Sequence, residues 1–136
     1  MNKKILYFIP LIIGLIIGVY LISQTTVLSG RANSASNRLP AKENSYLFAS
    51  PIQAKGDSQE KIRITVYILD GQGLGVSQQQ VSLNTPPDLS ITPLQPTTDE
   101  LGKATFDLSC SHPGKFQITA KTDTLDLPQK INIIFL

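Results

Sequence analysis

The chain has 136 residues, of which 41% are hydrophobic and 16% charged, and its formal net charge is +2. This length is sufficient for one folded domain and an anchor, and the single cysteine, Cys110, excludes an intramolecular disulfide bond. Five of the twelve Lys and Arg residues precede residue 45, whereas residues 45–136 contain seven basic and nine acidic residues, so we expect no nucleic-acid partner.

An uncharged apolar run extends from Ile5 to Ser23, after a segment over residues 1–4 that contains two lysines. As an α-helix this run would extend close to ~30 Å, the thickness of the hydrocarbon core of a bilayer, and a helix satisfies its own backbone hydrogen bonds in lipid. We therefore predict a transmembrane signal anchor over residues 5–23 that contacts the lipid bilayer. Lys3 and Lys4 precede the run and no basic residue follows it until Arg31, which predicts a single-pass protein of the cytoplasmic membrane with residues 1–4 in the cytoplasm.

Two alternatives concern this segment. A cleaved signal peptide usually has an apolar core of about 7–15 residues, and the longer run here favours an uncleaved anchor. Gly14 and Gly18 form a G-x-x-x-G, a spacing that lets two membrane helices pack closely. A homodimer through that helix face is one interpretation of these glycines, and the alternative is that glycine is common in membrane helices that do not pair.

Residues 24–44 follow the apolar run and are rich in Ser, Thr, Asn and Gln, without apolar periodicity. Such a composition buries too little apolar surface to offset the loss of chain entropy on folding. We therefore predict a flexible linker over residues 24–44. At roughly 5–6 Å × √n for n residues, it would hold the following domain about 25 Å from the bilayer.

From residue 45 to residue 136, apolar and polar residues alternate in short segments that are separated by turn-forming residues. A period of two is typical of half-buried strands, and about seven such segments predict an all-β, immunoglobulin-like β-sandwich behind the transmembrane α-helix. The least regular of these segments lies near residues 89–92. The predicted inward-facing residues are Ile62, Ile64, Val66, Ile68, Val81, Leu83, Ala104, Phe106, Leu108, Phe116, Ile118, Ala120, Ile131, Ile133 and Phe135.

Several of these segments resemble the bacterial Ig-like domain of the invasin and intimin type. They are residues 64–70 (ITVYILD), 73–76 (GLGV), 81–83 (VSL), 98–108 (TDELGKATFDL), 114–120 (GKFQITA) and 131–135 (INIIF). The most specific piece is the Thr-Asp-x-x-Gly-x-Ala block, which predicts a tight turn in which Asp99 bonds local backbone and Gly102 is left-handed. Gly75 stands where the family usually has proline or another residue before the valine.

The resemblance implies an Ig-like fold over roughly residues 45–136 and a place at the bacterial surface. Members of the family are typically tandem arrays that act as spacers or adhesins, and this sequence contains one copy of the domain pattern. The resemblance therefore implies the fold more directly than it implies an adhesin role.

No catalytic site is predicted. Cys110 and His112 are close in sequence, but a proline bends the segment after His112, no third orienting group is evident, and one His with one Cys cannot complete a zinc site. Asp70, Asp99 and Glu100 could gather at one end of the sandwich and bind calcium weakly, and the alternative for them is turn chemistry and solvation. We expect no enzymatic activity, no cofactor and no bound metal.

Anchor, linker and sandwich together predict a membrane-anchored, extracytoplasmic Ig-like module with a structural or protein-binding role at the bacterial cell envelope. Its partner would be an envelope or surface protein of unknown identity. The alternative is a minor adhesin or surface-display protein. A linker of 21 residues argues against this alternative, because an adhesin domain has to reach beyond the cell wall.

Overall fold

The computed structural model describes residues 13, 15–17, 20 and 38–136, and the chain divides into two compact units after Ser36. The five described residues of the first unit are helical. Within the described part of the chain, no helix has the length and apolar character needed to cross a membrane. Most of the predicted anchor over residues 5–23 lies outside the described residues, as do residues 1–4 and 24–37, so the anchor and its orientation stay predictions.

The second unit consists of eight strands in two four-stranded sheets. Sheet one has the order β1-β3-β6-β5 and sheet two the order β2-β8-β7-β4. The strands are β1 (Tyr46–Ser50), β2 (Gln53–Ala54), β3 (Ile62–Tyr67), β4 (Val81–Asn84), β5 (Ser90–Gln95), β6 (Lys103–Ser109), β7 (Gly114–Thr122) and β8 (Ile131–Phe135). This confirms the predicted all-β, Ig-like sandwich, with one strand more than the number expected.

The additional strand, β2, arises where the chain moves from one sheet to the other. Pro51 follows β1 and lacks the backbone N–H that would continue pairing with β3. The chain then crosses to sheet two, where Gln53 and Ala54 pair in parallel with Ile134 and Phe135 of β8. The least regular predicted segment is also a strand, β5, which pairs with β6 and shifts register between Pro93 and Gln95.

The hydrophobic core lies between the two sheets. All the predicted inward-facing residues are buried, except Leu83 on the edge strand β4 and Ile131 at the start of β8, which are half-buried. Apolar residues outside the clearest alternating segments complete the core: Leu47, Ala54, Val76, Leu89, Cys110 and Leu127. The second unit therefore contains its own core, as an independently folding domain does.

The connections gather at two opposite ends of the sandwich. At the N-terminal end, the Ala41 N–H donates to the Leu69 carbonyl at 2.7 Å, and the Gln78 N–H donates to the Thr98 carbonyl at 2.9 Å. This end comprises residues 38–45, the β3–β4 loop (68–80), the β5–β6 turn (96–102) and the β7–β8 connection (123–130). At the C-terminal end, the Gly56 N–H donates to the Leu136 carbonyl at 2.9 Å.

Residues 38–44, which the sequence assigns to the linker, are bonded to the domain. Arg38 Nε lies 3.6 Å from Asp70 Oδ2, and its Nη1 donates to the Gly75 carbonyl at 3.1 Å. The Asn44 side-chain amide donates to the Asp70 carbonyl at 2.7 Å. The polar composition of this segment indicated a linker, whereas its polar groups bond to the β3–β4 loop and fix the direction in which the chain enters the domain.

Candidate functional site

An aromatic cluster lies on the outward face of sheet one. Tyr46 and Tyr67 are opposite each other in the pairing of β1 with β3, and their ring centroids lie 5.2 Å apart with an interplanar angle of 27°. Phe48 also stacks with Tyr67, with ring centroids 6.4 Å apart and an interplanar angle of 13°. Tyr46 is 42% and Phe48 43% exposed. The cluster therefore presents a stacked apolar surface to solvent.

The chain brings these rings together by strand alternation. Leu47 points into the core and is fully buried, so its neighbours Tyr46 and Phe48 point outward. Sequence reasoning missed this cluster as a site because β1 was assigned only as a strand. The signal available in the sequence was that both aromatic residues flank an apolar inward position on the same short strand.

An ion pair completes the same face toward the C-terminal end. Arg63 on β3 is directly opposite Asp107 on β6, and donates to both carboxylate oxygens, with Nε–Oδ1 at 2.9 Å and Nη2–Oδ2 at 3.2 Å. The Arg63 hydrogen bonds and charge hold the pKa of the Asp107 carboxyl below its usual range, although partial burial opposes them. Because Asp107 is only 7% exposed, this bidentate pair satisfies its charge within the sheet.

The edges of sheet one are less available than its face. At β1, the Leu47 N–H donates to Oε1 of Gln129 at 3.0 Å, so a side chain occupies a donor that an added strand would need. At the other edge, β5 contains Pro93 and a register shift. The outward face of sheet two is polar, with Gln117, Thr119 and Lys121 on β7. The aromatic cluster on the face of sheet one is therefore the candidate interaction site.

The predicted family-motif turn lies between β5 and β6. Asp99 Oδ1 accepts from the Leu101 N–H at 2.9 Å and from the Lys103 N–H at 3.0 Å. Gly102 has a φ of 74°, in the left-handed region. Burial opposes the lowering of the Asp99 pKa that these backbone hydrogen bonds cause, and the net pKa lies below the usual value. Asp99 therefore has a structural role in closing this turn.

Asp70 has a similar role in the β3–β4 loop. Its Oδ1 accepts from the Leu74 and Gln72 N–H groups, both at 2.9 Å, and its Oδ2 faces Arg38. The Leu74 hydrogen bond is the main cause that lowers the pKa of this carboxyl. Both oxygens are thus engaged within the protein, which argues against the calcium alternative. No cluster of three or more His, Cys, Asp or Glu side chains arranged for a metal occurs among the described residues.

Among the described residues, no hydrogen bond joins the side chains of Cys110 and His112. Cys110 is 2% exposed, and its Sγ lies 3.6 Å from the Asp88 carbonyl. His112 is exposed, with Nδ1 3.1 Å from the Pro113 carbonyl. The thiol is therefore part of the core and the imidazole part of a turn. The other predicted site, the helix-packing pair Gly14 and Gly18, lies outside the described residues.

Two four-stranded sheets around a single core define the domain as an immunoglobulin-like β-sandwich module. The family model of the bacterial Ig-like domain (group 1) matches residues 44–136, which is more than half of the chain. The chain therefore belongs to this family, and the resemblance to invasin and intimin domains is confirmed.

Solved structures of intimin and invasin are similar to the domain. The D00–D0 domains of intimin give a TM-score of 0.59 at 24% identity, over 76% of this chain and 51% of that one. A fragment of intimin in complex with the intimin-binding domain of its translocated receptor gives 0.54 at 25% identity, over 66% and 32%. Invasin, described as a bacterial integrin-binding protein, gives 0.61 at 21% identity, over 75% and 21%.

The chain spans about half, or less, of the length of these structures. No curated protein sequence matches the chain. The matched family and the similar intimin and invasin structures contain bacterial Ig-like domains, which establishes the fold of the module.

Proposed function

We propose that the chain is a membrane-anchored, extracytoplasmic Ig-like module that binds a protein of the bacterial cell envelope through the aromatic cluster of Tyr46, Phe48 and Tyr67. The exposed, stacked aromatic face is the observation that carries this proposal. The apolar run over residues 5–23 supports the anchoring, since its length fits the hydrocarbon core. Lys3 and Lys4 directly precede the run, whereas the first charged residue after it is Arg31.

The chemistry of the cluster suits a protein partner. Aromatic residues are enriched in the central part of protein interfaces because they bury a large area and lose little conformational freedom. Here stacking already restricts Tyr46, Phe48 and Tyr67 in the free domain, so binding would order them little further. The partner surface would supply apolar side chains that cover the rings and acceptors or donors that reach the tyrosine hydroxyls.

The relatives support a protein partner in general terms. The intimin fragment that is 25% identical to this chain is in complex with a domain of its receptor. That complex involves a much longer chain, so the partner and the contact surface are proposed here from the structure of this domain.

Site-specific photo-crosslinking in intact cells tests the proposal. A photoreactive phenylalanine analogue at Phe48 is expected to form an adduct with one envelope protein, and Tyr46→Ser in the same chain is expected to lower its yield. The matched control places the analogue at Gln117, an exposed residue on the outward face of sheet two. Equal adducts from both faces, or none from position 48, would refute binding through the aromatic cluster.

A second candidate function is that of a minor adhesin or surface-display protein, which the similarity to intimin and invasin domains favours. This function requires the domain to be reachable from outside the cell. Protease treatment of intact cells distinguishes the two candidates: an adhesin domain is digested, whereas a module that works beside the membrane under a wall or outer membrane is protected.

A further inference from the structure

Three strongly exposed leucines lie at the N-terminal end of the sandwich. Leu39 is 82% exposed, Leu74 44% and Leu101 69%. Single exposed apolar residues are ordinary on protein surfaces. These three differ because they come from three separate segments, the N-terminal segment, the β3–β4 loop and the β5–β6 turn, that meet at one place. We call them the apolar tip.

Backbone contacts bring the three segments together. A Cβ placed on Gly75 would lie 2.6 Å from the Gly102 nitrogen, so the β3–β4 loop and the β5–β6 turn touch through their backbones. Arg38 donates from Nη1 to the carbonyl of the same Gly75 at 3.1 Å. Leu74 precedes Gly75, Leu101 precedes Gly102 and Leu39 follows Arg38. We call the contact between Arg38, Gly75 and Gly102 the crossing. Each of the three leucines is adjacent in sequence to one of these residues.

Hydrogen bonds also hold each segment in place. The Leu74 N–H donates to Asp70 Oδ1, and the Leu101 N–H donates to Asp99 Oδ1, each at 2.9 Å. The Arg38–Asp70 pair holds the segment that contains Leu39. Because the side chains of Asp70 and Asp99 fix the backbone of the two leucines, the exposure of the tip is built into the fold of these turns.

We propose that the apolar tip inserts into the interfacial region of the phospholipid bilayer in which the chain is anchored. This inference rests on the proposed anchoring. Only 14 residues, 24–37, separate the predicted membrane segment from Arg38. With the coil dimensions that their composition predicts, their mean span is about 20 Å, so the bilayer is the surface that the tip meets at the highest effective concentration.

The charges around the tip favour an apolar contact over an electrostatic one. With Lys103 at the start of β6 included, the N-terminal end of the domain contains four basic and six acidic residues: Arg38, Lys42, Lys103 and Lys130, and Glu43, Asp70, Asp99, Glu100, Asp123 and Asp126. A peripheral protein that binds anionic lipid through charge presents an excess of basic residues and loses affinity as salt rises. The tip has no such excess, so raising the salt is not expected to weaken its contact with lipid.

Tryptophan fluorescence of the full chain in lipid vesicles tests this inference, because the natural sequence contains no tryptophan. The vesicles contain phosphatidylethanolamine and phosphatidylglycerol, with or without bromine on the acyl chains. Leu101→Trp and, separately, Leu74→Trp provide reporters at the tip. Ile52→Trp is the matched control, since Ile52 is 61% exposed and lies at the C-terminal end of the domain.

The expected result is a blue-shifted emission from positions 101 and 74 that brominated lipid quenches, with neither change at position 52. Raising the salt to about 1 M, where the Debye length is ~3 Å, should not weaken the quenching. If the chain stays in vesicles after carbonate extraction but the tip reporters are as exposed as position 52, the tip inference is wrong and the anchoring stands. If carbonate releases the chain, the anchoring is refuted and the tip inference with it.

Discussion

Alanine at Gly102 is expected to destabilise the domain by about 2–5 kcal/mol, because two independent costs add at this position. Gly102 has a φ of 74°, and an L-residue in the left-handed region costs about 1–2 kcal/mol. A Cβ would also overlap the Ile68 carbonyl oxygen, which accepts the Val76 N–H at 2.9 Å. To avoid this overlap, the β5–β6 turn and the β3–β4 loop would have to move apart. That movement would weaken this hydrogen bond and the one from the Ile68 N–H to the Gly102 carbonyl, at a cost of about 0.5–1.5 kcal/mol each.

Three other glycines separate these costs. Gly73 has a φ of 78° and no atom within 4 Å of the position that a Cβ would take, so Gly73→Ala should carry only the conformational cost of about 1–2 kcal/mol. Gly75 has no positive φ but contacts the Leu101–Gly102 backbone, so Gly75→Ala should carry only the steric cost. Gly71 has neither feature, and Gly71→Ala should be neutral or stabilise by about 0.4–1 kcal/mol.

Urea unfolding of residues 37–136, followed by circular dichroism, measures this series. The expected order of destabilisation places Gly102→Ala first, Gly73→Ala and Gly75→Ala between, and Gly71→Ala last. A cost for Gly102→Ala no larger than that for Gly73→Ala would show that the two loops separate freely. That outcome would refute the rigid crossing and weaken the basis of the apolar tip, which depends on the same contact.

Three further predictions concern the core, acid stability and the thiol. Phe106→Ala should cost about 3–5 kcal/mol in thermal or urea unfolding because Phe106 is 3% exposed, whereas the exposed Phe48→Ala should cost much less; similar costs would contradict the burial argument. The Asp70 carboxyl has a lowered pKa in the folded state, so its stabilisation is present above its unfolded pKa of about 3.9 and is lost as the pH falls through the folded value. Asp70→Asn should flatten the dependence of the unfolding free energy on pH below about 4. An unchanged slope would show that other carboxyl groups cause the loss of stability in acid. Cys110 should react with a thiol reagent only as the domain opens, so labelling of the folded domain as fast as that of unfolded protein would exclude a buried thiol.

The fold was largely predictable because its signal is local. Alternation along β3, β6 and β7 identifies the inward residues directly, and each of those strands overlaps a predicted segment. Two-residue β2 escaped prediction because a pair of residues has no period, and its partner in β8 is far along the chain. Residues 38–44 were assigned to the linker because composition does not reveal that their polar groups bond to a loop some 30 positions later.

The candidate surfaces were less predictable because they depend on contacts between distant segments. Tyr46 and Tyr67 become neighbours only through the register of β1 with β3. Leu39, Leu74 and Leu101 occur in three segments that look like ordinary turns, and only the crossing at Gly75 brings them to one place. Gly75 stands at the position where the resemblance implies proline or another residue before the valine. The structure explains the need for a small residue there, because the Leu101–Gly102 backbone leaves no room for a Cβ.

The two proposed surfaces together favour a partner within the membrane plane over a distant receptor. Tyr46 begins β1, so the aromatic cluster starts next to the N-terminal end that contains the apolar tip. If the tip contacts lipid, the outward face of sheet one begins close to the bilayer, and the rings of the aromatic cluster would lie near the bilayer surface. At that height the rings would meet the extracytoplasmic part of a neighbouring membrane protein, whereas a receptor on another cell would be out of reach. If the tip inference is refuted while photo-crosslinking from Phe48 succeeds, the domain binds its envelope partner through the rings without contact between the tip and lipid.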